Sequence, residues 1–386
     1  MKKTLLIATG TILISIIIAI FLYLFVFGTP RSGEQIFANL GFTSSTDDVV
    51  TAIEKNETVP DDIAPAEDMA SHFVQVTERA VAGAHVKNGV IRFVEQGTGH
   101  VYEKSSTSGS EVLVSGVTIP KATHATFSSD GSRVAISSSD GDSALTTIAT
   151  LGAGGDVTGI TLPRDAREVT FNSSTTLYYI LKNNSGASGF LFNIETEKST
   201  EIFALPLSDI HVLWGNPHYV YTTPTETQKG YLYEVVGKGT LAYVTPGMPG
   251  LVGFRYGDGI IVSSLHGSTI TTRAISTSGN TVTQAFPFIP EKCTMRGADS
   301  SFVYCGIPSE FNGAFPDDWY MGTQSYSDKL WLMSVETGDA LLLLDFVEIS
   351  GREIDVAYIQ SDESGSQLVL INKNDNTLWL YNETLR

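Results

Sequence analysis

The chain has 386 residues, 42% of them hydrophobic, with 36 glycines, a formal net charge of −18 and a pI near 4.7. That composition belongs to a folded protein, and a surface so acidic repels phosphate backbones, which argues against nucleic acid as a partner. It keeps the protein soluble and tolerates basic proteins, cationic ligands or divalent metals.

Lys2 and Lys3 precede an uncharged apolar run from Leu5 to Phe27. As a helix this run spans about 34 Å, enough for the hydrocarbon core of a bilayer. A cleavable signal peptide has a shorter apolar core, about 7 to 15 residues, and a small-residue cleavage site that is absent here. Residues 1–28 are therefore expected to form an uncleaved, single-pass membrane anchor. Positive charge on the short N-terminal side places that end in the cytoplasm and the rest outside. Residues 29–70 carry Pro60, Asp61, Asp62, Pro65, Glu67 and Asp68 without sustained periodicity. They read as a flexible acidic stalk.

From His72 onward the pattern turns to short alternating strands. It is clearest from Ala125 to Ile136, where apolar residues alternate on both sides of Asp130-Gly131, a pair suited to a two-residue hairpin turn. Looser copies recur, each closing its first strand on a bulky residue: Val86, Phe127, Phe171, Trp214, Phe254, Met295 and Tyr358. They are spaced 40 to 44 residues apart, except for a last interval of 63. Removing the 20-residue polar and aromatic insert from Ser309 to Asp328 returns that interval to 43. A period in the low forties, with several strands per repeat, is the signature of propeller blades. The fold class is thus all-β, a seven-bladed β-propeller over residues 71–386. The seventh copy has only three strands before the chain ends, while residues 71–76 alternate like an outer strand. That N-terminal strand is expected to complete the seventh blade, removing open sheet edges.

Cys293 and Cys305 lie equidistant from the turn run Gly297 to Ser301. Residues so placed sit opposite each other in a hairpin, about 4.5 to 5.5 Å apart at Cβ. A structural disulfide is expected, since the extracytoplasmic side permits one; two buried thiols are the alternative.

Several stretches carry a family likeness: Gly97 to Tyr102, Pro290 to Cys293, Tyr304 to Pro308, Phe315 to Tyr320, Ser327 to Trp331 and Asn372 to Trp379. Together they resemble uncharacterised, membrane-anchored propeller proteins of candidate-phylum bacteria with very small genomes. The resemblance implies an anchor and a propeller, and brings no known activity. Phe127 to Gly131 is more loosely similar to WD40-type and TolB-type propellers, although most blades lack the Trp-Asp ending and Gly-His opening of WD40 repeats.

Two places suggest chemistry. The blade-six insert packs Asp317, Asp318, Trp319, Tyr320, Tyr326 and Asp328 into one loop. Exposed aromatics beside carboxylates suit a peptide, glycan or cationic partner, unless Trp319 and Tyr320 fold back to cap the blade. Three residues before each anchor stand Gly83, His124, Glu168, His211, Leu251, Lys292 and Asp355, a ring expected at one mouth of the central channel. Histidines with Glu and Asp are ligand types for a divalent metal, but Lys292 would repel a cation. Asp140 to Asp142 and Asn372 to Asn376 alternate like calcium loops yet lack the distal Glu, and read as hairpin turns. No nucleophile elbow or phosphate-cradling loop is present. No catalytic residue and no cofactor are assigned. The expected role is a membrane-tethered binding or scaffolding module for an envelope protein or glycan. The alternative is a metal-dependent hydrolase or lyase acting on a saccharide or lactone through His124, Glu168, His211 and Asp355.

Overall fold

Period-two alternation becomes strands with one face packed against a neighbouring sheet. In Ala122–Phe127, for example, Ala122, Ala125 and Phe127 are buried between blades one and two. The computed structural model describes residues 72–383 apart from 108, 142 and 153–156. The expected anchor (1–28) and stalk (29–70) lie outside the described residues. Among the described residues no helix is long and apolar enough to cross a membrane.

Seven four-stranded antiparallel sheets form, each in simple chain order except the last. Their innermost strands are Val81–Lys87, Ala122–Phe127, Arg167–Phe171, Ile210–Leu213, Val252–Tyr256, Cys293–Arg296 and Val356–Ser361. Each repeat anchor falls on one of these or directly after it. The seventh sheet takes its fourth strand from the N-terminal side: Phe73–Thr77 pairs antiparallel with Leu378–Asn382, setting Phe73 opposite Tyr381 and Val74 opposite Leu380. His72 Nδ1 lies 2.9 Å from the Asn382 carbonyl at the end of this seam. An apolar cluster fills the space between each adjacent pair of blades. A further cluster underlies the blade-six insert.

The repeat turn differs from expectation. Ser128 N donates to the Arg133 carbonyl at 2.9 Å, so four residues, not two, separate the bonded pair. Asp130 organises the longer loop: its Oδ1 accepts from Ser128 Oγ at 2.6 Å and Ser132 N at 3.0 Å, while Gly131 supplies φ 72°. Beneath this loop lies His85, 8% exposed, with Nε2 unpartnered and its Cδ2 atom 3.0 Å from where a Gly131 Cβ would stand. Burial, then the charges of Lys87 and Arg92, push the His85 pKa down to about 4, with Asp130 opposing. The unfolded imidazole takes its proton near pH 6.5, before the folded one does, so acidification from pH 6.5 to pH 4 favours unfolding. His85→Phe is expected to flatten the fall of the thermal midpoint across that window.

Cys293 and Cys305 stand directly opposite in the blade-six ladder and form a disulfide, with Cα atoms 4.1 Å apart. Both are buried in the cluster between blades five and six. Closing a loop with a sequence separation of 12 predicts that Cys293→Ala with Cys305→Ala lowers stability by about 2–4 kcal/mol, read as the shift in urea midpoint.

Candidate functional site

The blade-six insert joins the second strand, Asp299–Pro308, to the third, Asp328–Ser334, and contains one short helix, α1 (Asp317–Met321). Its aromatics do fold back. Trp319 and Tyr326 are 6% and 4% exposed, packed with Phe315, Leu265 and Ile289. Under them sits Lys292, whose Nζ donates to Asp328 at 3.0 and 2.8 Å and to Asp355 at 2.5 Å, all three side chains being fully buried. Asp355 also accepts from Trp319 Nε1 at 3.0 Å and Tyr326 N at 3.1 Å, and Asp328 from Val356 N at 2.7 Å. Burial drives the Asp328 pKa up, with Lys292 pulling against it. Lys292 and Lys373 lie 5.2 and 4.6 Å from the Trp319 ring. The insert is pinned at its root by charges that no solvent reaches.

That arrangement corrects the expected ring of mouth residues. The turn Pro290–Lys292 precedes the inner strand of blade six and rotates Lys292 into the interior, where Asp355 joins it. Leu251 is fully buried, and Gly83 packs so tightly on the next inner strand that a Cβ would fall 2.0 Å from the Ala125 carbonyl oxygen. Asp317 and Asp318 bind backbone N–H groups: Asp317 accepts from Glu226 N of blade four at 3.0 Å, and Asp318 from Ala314 N at 2.8 Å. Tyr320 and Met321 remain outward, 41% and 67% exposed.

Two of the remaining ring residues do meet. His211 Nδ1 lies 3.1 Å from Glu168 Oε1, and its ring stacks on Tyr221 with centroids 5.1 Å apart. Tyr221 donates to Glu291 Oε1 at 3.1 Å, and Tyr320 also hydrogen-bonds that carboxyl. Glu291 and Tyr221 went unnoticed in the sequence; the only hint was the neighbour of Lys292, one place out of register. Burial raises the Glu291 pKa against the pull of Tyr320, His211 and Tyr221. Burial disfavours the His211 cation, but Glu168 outweighs it and the net shift is upward. His124, hemmed in by protein though water reaches it, is shifted down by burial, with Glu168 opposing. Glu168 itself is held at φ 51°, with a register shift between Arg167 and Thr170. Its carbonyl accepts from Trp214 Nε1 at 2.8 Å.

Among the described residues no three His, Cys, Asp or Glu side chains converge as a metal site. Asp355 is committed to Lys292, so the four residues of the hydrolase alternative are not assembled. Two cavities flank the insert face. One of about 680 Å³ includes His124, Glu168 and Trp214 in its walls. The other, about 1020 Å³, is a cleft where Phe311 and Phe315 of the insert face Leu265 and Ile270 of blade five, with Glu226 and Glu310 exposed beside it. Lys329 within it is paired with Asp345 at 2.7 Å.

These sheets make a seven-bladed β-propeller. No protein-family model matches the chain, and no curated protein matches it in sequence. Among solved structures it is similar to the β-propeller domain of the Trilobed protease from Pyrococcus furiosus, with TM-score 0.54 and 12% identity over 78% of this chain and 94% of that one. It is also similar to the acylaminoacyl peptidase of Pyrococcus horikoshii, at TM-score 0.52 and 11% identity over 78% of this chain. The propeller spans about half of that peptidase, 51% of its chain. Virginiamycin B lyase from Staphylococcus aureus gives TM-score 0.51 and 13% identity, over 80% of this chain and 98% of that one. Such identities show the fold alone. The Pyrococcus furiosus propeller is described as having an open velcro topology, whereas Phe73–Thr77 closes the ring here.

Proposed function

We propose that this propeller is a membrane-tethered, extracytoplasmic module that binds a partner protein of the cell envelope at the blade-six insert. The tether rests on the apolar run Leu5 to Phe27 behind Lys2 and Lys3. The binding reading rests on one observation above all: a buried ion cluster fixes the insert as one rigid wall of the 1020 Å³ cleft. A preorganised wall lowers the entropy lost on association. Aromatic and aliphatic side chains supply the desolvated contact area, and the acids beside them select a basic, apolar segment. The insert offers no activated nucleophile beside a base, which favours binding over catalysis.

The test is photocrosslinking in intact cells from a photoreactive phenylalanine at Phe311. A discrete adduct with an envelope protein, lost on Glu226→Lys with Glu310→Lys and kept on His211→Phe, is the expected result. An adduct indifferent to the charge reversal, or none at all, overturns the reading.

A further inference from the structure

We propose that the channel site around Glu168 and His211 takes a neutral pyranose, the terminal ring of a glycan or a free monosaccharide. The argument starts from the hydrogen-bonding valence of His211. A carboxylate only accepts, so the proton on the His211–Glu168 contact belongs to Nδ1. His211 Nε2 makes no hydrogen bond among the described residues. It accepts when the ring is neutral and donates when the ring is charged. A hydroxyl, which both donates and accepts, satisfies it in both states. An anion would meet the carboxyl groups of Glu168 and Glu291, and a cation would compete with the His211 proton for Glu168. A hydroxylated, uncharged ligand is the class that suits donors and acceptors placed side by side.

The surroundings agree. Glu168 lies on the wall of the 680 Å³ cavity; His211 contacts it and stacks on Tyr221, and Tyr221 and Tyr320 both hydrogen-bond Glu291. Ser137, Ser139 and Ser143 line the same cavity. Each makes a single hydroxyl contact at 2.9 to 3.5 Å and keeps capacity for another. Glu168 and these serines, though not His211, line that cavity, whose volume falls within the usual span of small-molecule sites, about 300–1,000 Å³. Tyr320, 41% exposed and hydrogen-bonded to the Glu291 carboxyl, puts an aromatic ring beside it, the kind of group on which a sugar's C–H face stacks. Glu168 occupies a left-handed backbone that disfavours any side chain, a strain that persists only where the surroundings enforce it. Its carboxylate thereby reaches His211 of the neighbouring blade. These residues are distinct from the cleft, so this inference stands or falls apart from the partner-binding proposal.

The experiment is saturation-transfer NMR on the full chain in a polyoxyethylene detergent, which carries no sugar head group to compete. The probes are the methyl pyranosides of glucose, galactose, mannose and N-acetylglucosamine, with methylammonium and acetate as charged controls. At least one pyranoside should bind, with Kd at or below about 10 mM. Glu168→Gln and His211→Phe should each weaken it by about tenfold or more. Glu168→Gly, which relieves the left-handed backbone, should abolish binding while holding or raising the unfolding midpoint. Absence of binding by all four pyranosides, preference for either charged control, or pyranoside binding unaltered in the Glu168 and His211 variants overturns the proposal.

Discussion

Lys292→Met is expected to cost the fold about 3–5 kcal/mol, the usual penalty for removing one partner of a buried ion pair. Two carboxylates, Asp328 and Asp355, would then face each other without a counter-ion in a site that no solvent reaches. They would have to take up protons, and the pH dependence follows from that. In the variant the folded carboxyls bind protons that the unfolded chain releases above its own pKa near 3.9. Stability is therefore fully present only at acid pH and falls as pH rises toward neutrality. Urea midpoints of the variant should climb as pH is lowered from about 8 to about 5, a slope the parent does not share to that degree. Adding Asp328→Asn should recover part of the loss, because one of the two uncompensated charges is gone. Trp319, held by Asp355 and lying over Lys292, should shift its emission to the red as the insert loosens. A midpoint within about 1 kcal/mol of the parent, with no pH slope, would show that the insert is held by its apolar packing instead.

Phe73→Ala should be as damaging, by about 3–5 kcal/mol, for a different reason. Phe73 is 3% exposed and lies between Trp379 and Phe346, with ring centroids 4.9 Å from each. It is the main apolar anchor of a five-residue strand that has a partner on one side only. Weakening that strand exposes the backbone of Leu378–Asn382 and reopens the ring. Hydrogen exchange at Leu380 should accelerate, and sedimentation velocity should show association through the freed edge. Unchanged protection at Leu380 would mean that the ring stays closed by its inter-blade packing alone.

The number of blades, the place of the insert and the identity of the closing strand were legible because they follow from counting. A repeat of 40 to 44 residues, a 20-residue excess in one interval and a missing last strand are one-dimensional facts. The opposed cysteines were legible for the same reason, since hairpin symmetry converts sequence distance into spatial register. The mouth of the channel was read only in part. Counting back three residues points to Glu168 and His211, which lie 3.1 Å apart, but at blade six a single turn of 3₁₀ helix over Pro290–Lys292 precedes the inner strand. It buries the lysine and leaves Glu291 to meet Tyr221 and Tyr320.

The sequence by itself determined a closed all-β ring, because alternation and periodicity act locally and each blade repeats the same instruction. Only the tertiary structure decided which polar groups face the channel and which are consumed inside. Desolvation penalises a lone buried charge so heavily that Lys292, Asp328 and Asp355 must find one another across blades. No spacing rule within a single repeat records that requirement.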